Sequence, residues 1–277
     1  MKNPPTQVRT APVDRSKTIK IGLALSGGGT RGVAHIGAIR ALLEHGIEPT
    51  CIVGTSAGAV VGAMYAAGRT PDEMLAMALE GDSLVKMFKF VLPFNSVTSL
   101  ENLERLLLKS EIPDTFSELK HDLTIAVTNF NRGCPEFLRA GSLHKAVTAS
   151  CAIPLIFRPV TIGDELYADG GIFDNLPAHK LPEDCDIKIG IDLMPIVQSD
   201  VKSNSLAPTI AKRTFELIVY NNTSVGCDSC THVITPTKLA KYHTFTFGKF
   251  QLFHDIGYEA TLRRIPEIRA AMQQVDS

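Results

Sequence analysis

Ser56 lies at the centre of Gly54-Thr55-Ser56-Ala57-Gly58, a G-x-S-x-G pattern between an apolar run and a helix-like run. A serine held on a sharp strand-to-helix turn exposes its hydroxyl for nucleophilic attack. Glycines two residues to either side let strand and helix approach without Cβ collisions. The N-terminus of the following helix also aims backbone N–H dipoles at developing negative charge. A glycine- and serine-rich turn without any chemistry has the same letters, so the pattern alone does not decide.

A second glycine group, Gly27-Gly28-Gly29-Thr30-Arg31-Gly32, also joins an apolar run to a helical pattern. Two chemistries compete for it. It fits G-x-G-x-x-G, the turn that cradles a dinucleotide pyrophosphate. That use wants a carboxylate at the end of the second strand, for the ribose hydroxyl. The second strand here ends in Gly54-Thr55-Ser56, and Glu44 and Glu48 precede it. The other use is an oxyanion hole, in which successive glycine N–H groups converge on one oxygen. A plain tight turn explains one or two of these glycines but poorly three.

A serine nucleophile needs a base, and histidine is the usual one. None of the eight histidines has a distinctive catalytic setting in the sequence. Asp169-Gly170-Gly171 is more specific, because it closes a short strand and opens a flexible turn. A desolvated aspartate has its pKa raised toward the working range and can serve as a base by itself. An Asp before Gly is also an ordinary turn former.

These residues must be positioned by strands and helices. Ile19 to Leu25 is a short apolar run suited to a buried strand. A helix is predicted from about Arg31 to His45, with Ile36, Ile39 and Leu43 on one stripe and Gly46 as its C-cap. A strand at Cys51 to Gly54 and a helix from Ser56 to about Ala67 complete a βαβα unit, which implies a parallel sheet. Thr70-Pro71-Asp72-Glu73 is a capping box that opens a helix to about Glu80, and Thr98 to Glu101 repeats the signal. Further strands are expected at Leu123 to Phe130, Glu136 to Arg139 and Ile187 to Leu193. A hairpin is expected around Gly163-Asp164. Ser142 to Ala149, Thr209 to Asn221 and Ile256 to Val275 read as helices, the last interrupted at Pro266.

Composition narrows the classes. The chain has 277 residues, a formal net charge of −1, 44% hydrophobic and 21% charged residues. It is apolar enough to fold around a core. The charge balance excludes a dedicated nucleic-acid binder, and with no Trp and 6% aromatics there is no stacking platform. Residues 1–18 read as a flexible lead-in without an apolar signal-peptide core, and 19–277 as one α/β domain. The six cysteines read as reduced thiols of an intracellular protein. Cys227-Asp228-Ser229-Cys230, with His232 and His243 beyond it, lacks the second ligand pair of a zinc site. Pro49 to Gly68 is 20 residues without a charge, with glycines at 54, 58 and 62. That is long enough to span a membrane, but its β-like start and its Thr and Ser residues favour strand, turn and helix.

Taken in order, Gly27 to Gly32, Gly54 to Gly58, Ala149-Ser150-Cys151-Ala152-Ile153-Pro154 and Asp169 to Gly171 resemble the motifs of the patatin-like phospholipases. The resemblance runs from about Lys20 to Leu193. It implies a three-layer α/β/α sandwich with a mainly parallel central sheet. It implies a Ser56–Asp169 dyad without histidine, with Gly54, Gly58, Gly170 and Gly171 as motif support. The oxyanion loop would be Gly27, Gly28 and Gly29 with Arg31 beside it. The implied reaction is hydrolysis of a lipid acyl ester through an acyl-serine, with no metal or cofactor. A cytoplasmic location follows, with membrane contact restricted to the surface. Residues 83–94, which mix large apolar side chains with Lys86 and Lys89, read either as a lid or lipid-docking surface or as a buried, core-packing helix. The other readings are a dinucleotide-binding protein and a lipid-binding protein without catalysis.

Overall fold

The computed structural model describes residues 19–79, 100–195, 198–199 and 201–276. The expected lead-in at 1–18 and lid or helix at 83–94 lie outside the described residues. The described strands form one sheet: β1 (Ile21–Leu25), β2 (Cys51–Thr55), β3 (Asp122–Asn129), β4 (Cys134–Leu138), β5 (Val160–Ile162), β6 (Glu165–Asp169), β7 (Ile187–Ile191) and β8 (His232–Ile234). Their order is β5-β6-β3-β2-β1-β7-β8, with β4 also paired to β3. The run β3-β2-β1-β7-β8 is parallel, whereas β4, β5 and β6 pair antiparallel. The sheet is therefore mainly parallel but mixed.

Helices flank it: α1 (Val33–Glu44), α2 (Ala57–Ala66), α3 (Pro71–Leu79), α4 (Glu101–Lys109), α5 (Leu143–Ser150), α6 (Ala207–Asp228), α7 (Phe250–Leu262) and α8 (Ile265–Asp276). The period-two alternation of the central strands feeds two cores. Leu23, Leu25 and Ile52 enter the larger one with α1, α2 and α7. Ala24, Cys51 and Val53 point the other way, against Leu176, Leu181 and Cys185, with Cys227 of α6 packed onto them. Buried on both faces, β1 and β2 carry continuous apolar runs rather than an alternation of polar and apolar residues.

The first capping box forms as expected. Thr70 N–H donates to Glu73 Oε2 (2.7 Å) and Glu73 N–H to Thr70 Oγ1 (3.3 Å), with Pro71 as the first helical residue. Thr98 and Ser99 of the second lie outside the described residues. The N-cap of α4 is Leu100. Two C-terminal elements differ from expectation. α6 runs to Asp228, past the expected end at Asn221, and at Gly226 a Cβ would lie 1.8 Å from Leu176 O, so the glycine is needed for close packing. The last predicted helix is two helices, which begin at Phe250 and Ile265, with Pro266 in the first turn of the second, where proline is tolerated. No described helix is long and apolar enough to cross a membrane, and Pro49 to Gly68 is strand, turn and helix.

Candidate active site

The register of the sheet brings Ser56 and Asp169 together. β4 runs along one edge of β3. β2 and β6 share the other edge, end to end. Thr55 pairs with Ala126, and Asp169 pairs with Val127, the next residue of β3. β2 runs parallel to β3 and β6 antiparallel, so their C-terminal ends meet. Ser56 leaves the end of β2 where Asp169 closes β6.

At that junction Ser56 adopts φ 52°, ψ −119°, a left-handed conformation that costs a non-glycine residue of the order of 1–3 kcal/mol. Such strain recurs where a side chain must be presented at a turn. The turn is held from below by Ser150, at the end of α5. Ser56 N–H donates to Ser150 Oγ (2.8 Å), which donates in turn to Ala126 O of β3 (2.7 Å). Replacing Ser150 by alanine leaves the Ser56 N–H without this acceptor and removes the bond to Ala126 O. We expect Ser150→Ala to lose about 2 kcal/mol in chemical denaturation. An unchanged unfolding midpoint would count against this tie.

Asp169 is 2% exposed. Its carboxylate accepts Gly171 N–H (2.8 Å), and the Ser56 side chain lies close enough to lower its pKa. Its own N–H is tied to Ala152 O (2.9 Å). Burial raises its pKa to about 7, and the Gly171 hydrogen bond and the nearby Ser56 hydroxyl only partly oppose that. The carboxyl therefore titrates near neutrality. Cys151 lines the same slot as Ser56. Burial, and secondarily the charge of Asp169, hold the Cys151 thiol well above the usual thiol range, so it stays neutral.

The glycine loop lies beside this pair. A Cβ on Gly27 would come 3.3 Å from Ser56 Cβ. The loop's N–H groups have different fates. That of Gly27 is shared between Asn175 O (3.2 Å) and Asn175 Oδ1 (3.1 Å). Thr30 N–H goes to Thr244 O and Arg31 N–H to Gly28 O. Those of Gly28 and Gly29 have no acceptor among the described residues. The sequence reading grouped Gly27 and Arg31 with the oxyanion donors, and the geometry separates them. Arg31 is buried with its guanidinium donating to Leu193 O (3.2 Å) and Tyr242 O. It lines a different cavity from Ser56.

Ser56 and Gly29 line an almost wholly apolar slot, with Val60 and Met64 of α2, Met74 of α3, Leu106 of α4 and Ile153. No histidine lines it. His35, 0% exposed in α1, donates through Nε2 to Ser26 O (2.8 Å), and burial lowers its pKa to about 4. It is a neutral brace for the residue that precedes the glycine loop. Cys227 and Cys230 sit near the smaller core, and the Cys230 thiol donates to Gly226 O (3.4 Å).

Sequence reasoning missed two supports. Asn175 fastens the glycine loop through Gly27 and reaches α6 through Thr223 Oγ1 (2.9 Å). No local pattern in the sequence marks it. Ser150 was visible only as a letter in the Ala149 to Pro154 block.

Comparison with known proteins agrees with this arrangement. An uncharacterized NTE family protein of Mycobacterium tuberculosis (strain H37Rv) is 34% identical over 184 residues, which cover 64% of this chain and 50% of that protein. Lysophospholipase nte1 of Aspergillus fumigatus is 26% identical over 269 residues, covering 86% of this chain and 18% of that protein. The chain thus spans about half, or less, of these curated relatives. The crystal structure of VipD from Legionella pneumophila shares the fold, with a TM-score of 0.56 and 17% identity over 90% of this chain and 67% of that one. A family model described as patatin-like phospholipase matches residues 23–182, more than half of the sequence. The chain belongs to the patatin-like phospholipase family.

Proposed function

We propose that this chain hydrolyses acyl esters of lipids through an acyl-serine intermediate, with Ser56 as nucleophile and Asp169 as its base. The observation that carries the reading is the strained Ser56, in an apolar slot and beside a buried carboxylate that titrates near 7. Asp169 takes the Ser56 proton as Oγ attacks the ester carbonyl carbon. The oxyanion forms against the N–H groups of Gly28 and Gly29, which have no acceptor among the described residues, each worth about 3 kcal/mol of barrier. The N-terminus of α2, at Ala57, adds its field. The proton returns to the leaving alcohol, Asp169 then deprotonates a water, and the fatty acid is released. The acyl chain occupies the slot between α2 and α3, whose methionines adapt to its shape. No residue in this scheme requires a metal or cofactor.

The test is intact-mass labelling with a fluorophosphonate. One adduct is expected on the wild-type protein and none on Ser56→Ala. Equal labelling of the two folded proteins would sink the reading.

A further inference from the structure

Three non-glycine residues among those described have positive φ: Ser56, Glu111 and Leu155. Ser56 is the proposed nucleophile. Glu111 is polar and just follows the end of α4, where such a conformation is ordinary. Leu155 has neither explanation. It occupies the third position of the turn Ile153-Pro154-Leu155-Ile156, closed by Ile156 N–H to Ile153 O (3.2 Å), with φ +69°. Proline at the second position and positive φ at the third are the marks of a type II turn, whose third residue is normally glycine or asparagine.

Leucine there is unfavourable twice, since its backbone is strained and its side chain is 79% exposed. No other large apolar side chain among the described residues is more exposed. Its neighbours behave differently. Phe157 is 1% exposed and Ile156 packs against the core. Ile153, two residues earlier, lines the slot with Ser56. The turn is thus anchored to the site and aims one leucine outward. An apolar side chain held out at a cost to the fold is suited to a surface that removes it from water.

We propose that Leu155 inserts into the acyl region of a phospholipid surface and docks the slot against its substrate. The inference rests on the lipid-hydrolase reading and adds the docking residue to it.

The chain contains no tryptophan, so Leu155→Trp in a Ser56→Ala background is a single fluorescent reporter that leaves the lipid intact. Val225→Trp, at a residue 63% exposed in α6, is the control. With vesicles of phosphatidylcholine and phosphatidylglycerol, the Leu155→Trp emission should shift to the blue and be quenched by brominated acyl chains. The Val225→Trp emission should stay at its aqueous wavelength. Leu155→Gly, in the same background, should sediment with vesicles roughly tenfold less while melting no lower than its parent. The proposal is overturned by an unshifted Leu155→Trp emission, by equal quenching at both positions, or by vesicle binding of Leu155→Gly equal to its parent. It is also overturned by a shift that depends on protein concentration without vesicles, which would mark self-association. Fluorophosphonate labelling of Leu155→Gly with Ser56 intact separates the two ideas. Labelling at the wild-type rate with vesicle binding equal to the parent's removes the docking role alone. Absence of labelling in wild type removes the hydrolase reading.

Discussion

Asp169→Asn is expected to slow turnover of a soluble ester by about 10³-fold or more and to stabilise the folded chain at pH 8. The first effect follows from the proposed role. An amide keeps the shape and can still accept Gly171 N–H, but it cannot take the Ser56 proton. The second follows from burial. The Asp169 carboxyl, ordinarily near 3.8, is pushed to about 7 in the fold. A carboxyl with a raised folded pKa contributes stability that is present below its unfolded pKa and lost as pH rises through the folded value. At pH 8 the wild-type protein carries an ionised, buried carboxylate, and the asparagine variant does not. The difference is on the order of 3 kcal/mol at pH 8 and narrows toward pH 5. Asp174, also raised to about 7 by burial, is present in both proteins and cancels. The same ionisation sets the sign for catalysis. The base is active when deprotonated, so wild-type kcat/KM should rise with pH to a plateau above about 7. Melting curves at pH 5 and pH 8 and a pH–rate profile check both halves. An asparagine variant that is active, or no more stable at pH 8, would show that Asp169 is not a base held at a cost to the fold.

The sequence carried the elements of this site better than their connections. The runs at β1 and β2 and the glycines at 27 to 29, 54 and 58 were readable because local backbone needs select those residue types. The meeting of Ser56 with Asp169 was not readable from spacing, since it depends on β2 and β6 sharing one edge of β3. Only the family resemblance paired them. Arg31 shows the opposite limit. Its place beside the glycines suggested an oxyanion role, but its long side chain turns to the Leu193 and Tyr242 carbonyls. Where a guanidinium points is decided by partners distant in sequence. Asn175 and its bond to Gly27 were invisible for the same reason. β8, three residues long, is too short to stand out in the sequence although Val233 and Ile234 favour a strand, and it forms where β7 offers an edge.

Gly58→Ala should destabilise the chain by more than about 3 kcal/mol and abolish fluorophosphonate labelling, whereas Gly62→Ala should do neither. Both glycines lie in α2 and both belong to the spacing 54, 58, 62 that suggested a membrane helix pair. Their surroundings differ. A Cβ on Gly58 would stand 2.2 Å from Leu25 O and 2.7 Å from Ser26 O, backbone atoms at the end of β1 and the start of the glycine loop. Neither can move without shifting the strand or the loop. Gly54 faces the same limit, since its Cβ would be 2.5 Å from Gly58 O. A methyl at 58 therefore pushes α2 off β1 and displaces Ser56 from both Asp169 and the glycine N–H groups. At Gly62 the nearest atoms are side-chain carbons, Ile52 Cγ2 at 3.2 Å and Leu123 Cδ1 at 3.3 Å, which can yield by a few tenths of an ångström. Alanine in a helix interior gains about 1 kcal/mol over glycine, which offsets the crowding. Gly62→Ala should stay within about 1 kcal/mol of wild type. Chemical denaturation with labelling of the folded fraction separates the two. A folded, fully labelled Gly58→Ala would mean that the turn at Ser56 does not depend on close contact between α2 and β1.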